Sequence, residues 1–109
     1  MIICVCYVFA EDYTVKMGSD KGLLVFEPKR LIIKTGDSVT FLNNSNPPNN
    51  VVFDPKKVPN GADAPNLSYK RLMLNRGEKW QTQFHVAGEY IYYSEPHRGA
   101  GMSGRITVK

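Results

Sequence analysis

The sequence predicts an all-β sandwich of about eight strands. Three observations carry this prediction. Apolar residues recur with period two, not 3.6, through most of the chain. Short apolar segments are separated by turn signals at steps of about 8–12 residues. No segment carries a helical stripe. At 109 residues the chain has room for one domain, which would bury on the order of 65% of its unfolded surface.

The elements follow in order. Tyr13, Val15 and Met17 alternate with polar neighbours and read as a strand. Leu23 to Phe26 is a short apolar run, and Leu31 to Ile33 is another, stopped by the turn signal at residues 35–37. Val39, Phe41 and Asn43 share one face of the next strand. Asn50 to Phe53 is again apolar. Residues 55–66 are rich in Pro, Gly, Asn and Asp and read as a loop with room for one helical turn. Leu67 to Leu74 reads as a strand, ended at residues 75–77. Trp80, Thr82 and Phe84 alternate, Tyr90 to Tyr93 is aromatic and β-branched, and Arg105 to Val108 closes the chain. The predicted core between two sheets comprises Ile32, Val39, Phe41, Val52, Tyr90 and Ile106.

The net charge of +4 is spread along the sequence. There is no basic run and no interleaving of basic and aromatic residues, which argues against nucleic acid as a partner. No run of about 18 apolar residues is present, so no transmembrane helix is expected. Two readings of the charge stay open: a solvated, mildly basic surface, or steering toward an acidic partner.

Residues 1–10 differ from the rest, being uncharged and almost wholly apolar. Val8, Phe9 and Ala10 fit the small-x-small pattern of a cleavage site ahead of Glu11. A complete signal peptide runs about 15–30 residues from a positive start. Residues 1–10 are therefore read as the end of a signal peptide, and residues 11–109 as the domain. The alternative is an N-terminal strand extension. Cys4 and Cys6 both lie in this segment, two apart on one face of a strand, with no zinc-type partners nearby. The domain itself holds no thiol.

Two stretches carry a resemblance. One is Pro47-Pro-Asn-Asn-Val-Val-Phe-Asp54. The other is Gly88-Glu-Tyr-Ile-Tyr-Tyr-Ser-Glu-Pro-His-Arg-Gly-Ala-Gly-Met102. With residues 18–28 and 34–39 they resemble the plastocyanins, small cupredoxins, over nearly all of residues 11–109. The wording Glu-Pro-His-Arg is similar to the cyanobacterial branch. The resemblance implies a cupredoxin-like Greek-key sandwich and a copper cofactor. It implies a soluble one-electron carrier, a monomer, working between cytochrome f and photosystem I in a thylakoid lumen or periplasm.

The family's four copper ligands map onto Asn49, Ser94, His97 and Met102. His97 and Met102 match, but position 49 has Asn for His and position 94 has Ser for Cys. Asn50 matches the asparagine that ties the two ligand loops together. Leu24 and Pro48 match the apolar patch, Tyr93 the aromatic beside the cysteine, and Arg98 a basic residue that meets acidic partners. A blue-copper site needs two imidazoles, a thiolate and a weak thioether. A serine hydroxyl does not ionise as a thiol does near pH 8.5, and an amide oxygen is a hard donor. This set is not expected to form a tuned one-electron centre. A redox-silent docking module with an empty metal site is the second reading. A weak copper store or chaperone using His97 and Met102 is a third.

Ser94 near His97 also invites a nucleophile–base pair. No carboxylate is evidently placed to orient the imidazole, so an enzyme is not expected. His85 reads as a surface residue and Glu95 as a solvated carboxylate.

Overall fold

The computed structural model describes residues 9–109 of the chain. The signal-peptide reading of residues 1–10 lies outside the described residues save Phe9 and Ala10, and so do Cys4 and Cys6. Among the described residues nine strands form two mixed sheets. The first contains β1 (Asp12–Met17), β2 (Phe26–Glu27), β4 (Ser38–Asn43) and β7 (Lys79–Gln83), in the order β2-β1-β4-β7. The second contains β3 (Arg30–Ile33), β5 (Asn49–Phe53), β6 (Tyr69–Met73), β8 (Gly88–Tyr93) and β9 (Ser103–Val108), in the order β3-β9-β8-β5-β6. β1 runs parallel to β4 and β3 parallel to β9. The other paired strands are antiparallel.

The predicted all-β sandwich is therefore observed, and its cause is visible in β4. Its burial alternates along the strand, with Val39, Phe41 and Asn43 turned inward. Val15 and Met17 from β1, Tyr90 and Tyr92 from β8, and Ile106 and Val108 from β9 meet them between the sheets. The centre is aromatic. Phe41 and Phe26 present edges to the Tyr92 ring at 5.1 and 4.7 Å, and Phe84 packs edge-on to Tyr90 at 5.1 Å. Such geometry adds to area burial, so truncating Phe41 to Ala would cost about 3–5 kcal/mol.

Three expectations are corrected. Ile32 is 62% exposed, and Ile33 is the buried residue of β3. The Leu-Ile-Ile run has no alternation from which to choose a face; pairing with β9 sets the parity by placing Ile33 opposite Val108. Val52 is buried but stands apart from the inter-sheet core. It lines an outer depression with Pro55, Pro65 and Lys70. Finally, residues 67–74 are not one strand. A single helical turn, Ala64–Leu67, takes the first of them. The Asp63 carboxylate accepts the Asn66 N–H at 3.3 Å, and Pro65 sits in the first turn, where its missing N–H is no loss. The Ser68 hydroxyl then closes the turn on the Ala64 carbonyl at 2.7 Å, and β6 starts at Tyr69. The one helical turn anticipated for residues 55–66 thus falls at the end of that loop.

Candidate metal centre and docking face

Two loops meet beside the core. Residues 44–48 join β4 to β5, and residues 94–102 join β8 to β9. The second contains a 3₁₀ helix, Glu95–Ala100. It closes on itself: the Ser94 N–H donates to the Met102 carbonyl, the His97 N–H to the Ser94 carbonyl and the Met102 N–H to the His97 carbonyl, each at 3.2 Å. Gly101 ends the helix at φ 84°, the left-handed conformation that glycine adopts without strain.

Asn50 ties the loops together. Its amide donates to Glu95 Oε1 at 2.9 Å and to the Lys70 carbonyl at 3.0 Å, while its own oxygen accepts the Glu95 N–H at 2.8 Å. Glu95 is exposed, yet held by this exchange.

Asn49 and Ser94 are fully buried, Met102 is 1% exposed, and His97 is half-buried. Ser94 Oγ donates to Asn49 Oδ1 at 3.3 Å and accepts the Asn50 N–H at 3.4 Å. Asn49 Nδ2 donates to Asn43 Oδ1 at 2.9 Å and to the Ser45 carbonyl at 3.0 Å. His97 Nε2 lies 2.9 Å from the Asn46 carbonyl. A carbonyl only accepts, so Nε2 carries the proton and Nδ1 is the ring's basic nitrogen. The hydrogen bonds of Ser94 Oγ thus run to Asn49 and Asn50, and that of His97 Nε2 to the Asn46 carbonyl.

Sequence reasoning missed Asn43 and Asn46. The signal for Asn43 was present: it is an amide on the apolar face of an alternating strand, which requires a partner. Asn46 stands at φ 52°, and its side chain bonds the Gly22 carbonyl, joining the loop that carries Leu24.

On the outer face, the Arg98 guanidinium lies over the Tyr93 ring, 3.9 Å from its centroid. Leu24 and Pro48 are half-buried. Three shallow grooves run past Tyr93 and Arg98. Lys29, Arg30 and Arg105 line the first, Lys57 and Arg98 the second, and Lys70 the third. The first two share Ile91 and Ser103, and the last two share Tyr93, so they form one track.

Comparison with known proteins decides the family. The model for copper-binding proteins of the plastocyanin/azurin family matches residues 13–109. The chain belongs to that family. A plastocyanin of Nostoc punctiforme is 56% identical over 105 aligned residues, taking in 92% of this chain and 76% of that one. A plastocyanin of Scenedesmus fuscus is 50% identical over 98 residues, covering 90% of this chain and all of that one. Among solved structures, the oxidised plastocyanin of the fern Dryopteris crassirhizoma superposes with a TM-score of 0.75 at 27% identity, over 88% of this chain and 99% of that one. An amicyanin variant follows at a TM-score of 0.69 and 26% identity, over 90% and 82%.

The family binds copper, so the donors here can be tested against that ion. The four residues mapped onto the ligand positions by resemblance, Asn49, Ser94, His97 and Met102, supply one imidazole and one thioether. No thiolate is present, and the Asn49 oxygen is engaged by Ser94. Among the described residues no group of three or more His, Cys, Asp or Glu side chains comes together. These donors do not fit a blue-copper centre, which requires two imidazoles and a thiolate.

Proposed function

We propose that this chain is a redox-silent docking member of the plastocyanin family. In this reading Asn49, Ser94, His97 and Met102 stand at the family's ligand positions, and no electron passes through them. The observation that carries it is Ser94, a fully buried hydroxyl donating to Asn49 Oδ1 at 3.3 Å; by resemblance, its position is the thiolate's. Without that sulfur there is no anionic soft donor, no covalent path for an electron and no ligand to balance Cu(II).

The docking half rests on the outer face. Leu24, Pro48, Tyr93 and Arg98 are the residues that meet partners by resemblance. Six of the chain's fourteen basic side chains line the track beside them, against Asp54 on its wall and Glu89 at its edge. The chain as a whole carries a net charge of +4. A field of this kind steers acidic partners. Cytochrome f and photosystem I are the partners carried over from the family, and the thylakoid lumen or periplasm is the compartment. Residues 1–10 are then the end of the export signal, and the chain is a monomer that catalyses no reaction.

The test adds Cu(II) to the purified protein and records its visible spectrum beside its binding to cytochrome f. The expected result is no intense band at the red end and saturable, salt-sensitive binding. An intense blue band would overturn the silent reading in favour of the family's electron carrier. Absence of binding would overturn the docking.

A further inference from the structure

The hydrogen bonds around Asn49 all run in one direction. The Asn50 N–H donates to Ser94 Oγ at 3.4 Å, and the Ser94 hydroxyl to Asn49 Oδ1 at 3.3 Å. The Asn49 amide donates to Asn43 Oδ1 at 2.9 Å, and the Asn43 amide to the Asn75 carbonyl at 2.8 Å. Asn43 also reaches the Met73 carbonyl at 3.3 Å. Every side chain in the series is at most 1% exposed. The series begins at Asn50 in β5, passes to Ser94 just beyond β8, returns to β5 at Asn49, enters β4 in the opposite sheet at Asn43 and ends at the turn before β7.

We propose that Asn49 and Ser94 are a matched pair within a one-way buried hydrogen-bond chain. This chain fastens the two loops to each other and to the opposite sheet, the task a shared metal ion would do for a ligand set. The proposal rests on the same placement of residues 49 and 94 as the proposed function. It depends on neither docking nor copper.

The physical case is one of satisfaction. A buried amide has two donors and an acceptor, and each one left unpaired is costly. Here Asn49 Nδ2 reaches Asn43 and the Ser45 carbonyl, and its oxygen is served by Ser94. Ser94 Oγ in turn donates once and accepts once. Changing one member alone strands a buried polar atom on the other, whereas changing both removes the two ends of the Ser94–Asn49 bond together; the outer partners, Asn43 Oδ1 and the Asn50 N–H, lose the same bonds in the double variant as in the single ones. Bonds aligned head to tail polarise one another in the same sense. The two links at Ser94 are the longest of the series, which places the expected coupling at the low end for buried neighbours.

The test is a double-mutant cycle read by thermal unfolding, with Asn49→Leu, Ser94→Ala and the two combined. Each single variant should lower Tm. The double variant should lose less than the two single losses added, by about 4 °C. Additivity to within about 1 °C would overturn the pairing. Should a single variant fail to fold, the native protein decides by amide hydrogen exchange. The Asn49 side-chain amide should exchange at least about 100-fold more slowly than that of exposed Asn60. Equal rates would overturn the proposal.

Discussion

At the scale of single residues, Tyr92 is the group least at ease. Its ring is the hub of the aromatic core, yet its hydroxyl is the buried side-chain oxygen left without a partner among the described residues. Burial pushes its pKa up, so it stays neutral at any working pH. A buried polar atom without a bond costs about 1–3 kcal/mol. Tyr92→Phe is therefore expected to raise stability by about 1 kcal/mol in a denaturant titration; a loss of that size would mean the hydroxyl serves an unseen partner. The same oxygen explains Gly104. A Cβ there would lie 2.4 Å from the Tyr92 hydroxyl and 2.5 Å from the carbon bearing it. Gly104→Ala should cost about 1–3 kcal/mol through overpacking, read as an earlier denaturant midpoint at unchanged slope. Neither effect was legible in the sequence. Tyr92 alternates correctly for the core, but alternation does not say whether a hydroxyl at its tip finds a donor or acceptor.

Turns and loops were read more surely than strand faces. The turn at residues 35–37 was placed from Thr, Gly and Asp, and the structure adds what Asp37 does. One carboxylate oxygen accepts the Glu11 N–H at 2.9 Å and the other the Lys34 N–H at 2.8 Å. These backbone bonds, the Glu11 contact first, hold its pKa below the usual carboxylate range. A carboxylate whose folded pKa is depressed contributes stability that is full above its unfolded value, near pH 4, and lost as pH falls through the folded value. Asp37→Asn should therefore lower Tm at pH 7. The variant's Tm should also fall less steeply than that of the wild type as pH drops below about 4. Parallel Tm curves for the two proteins across that range would contradict the assignment. The loop at 94–102 was legible only through its resemblance. Spacing alone placed Ser94, His97 and Met102 in one stretch, and the backbone bonds among them are what bring them together. The face of β3 was not legible at all, because three consecutive aliphatics fit either parity until β9 selects one.

At the scale of the whole molecule, two long-range features bear on the proposed roles, and each left a different trace. The buried chain from Asn50 to Asn75 joins residues far apart in sequence, and its trace was one amide on an apolar strand face. The basic track left none, because its cations lie on separate elements and look evenly scattered along the chain. Only the sheet order gathers them, by setting Arg30 directly opposite Arg105 and Arg105 opposite Ile91. Like charges placed opposite one another are unfavourable, and an acidic surface laid across them relieves that. This separates local steering from net charge. Arg105→Glu, on the track, and Lys79→Glu, in the other sheet, change the total charge by the same amount, and both side chains are exposed. In low salt the Arg105 change should slow association with an acidic partner by about tenfold, and the Lys79 change far less. The gap should close near 1 M salt, where the screening length falls to about 3 Å. Stopped-flow association rates over a salt series decide it. Equal slowing by both variants would mean that the net charge acts as a whole and that the track is no docking surface.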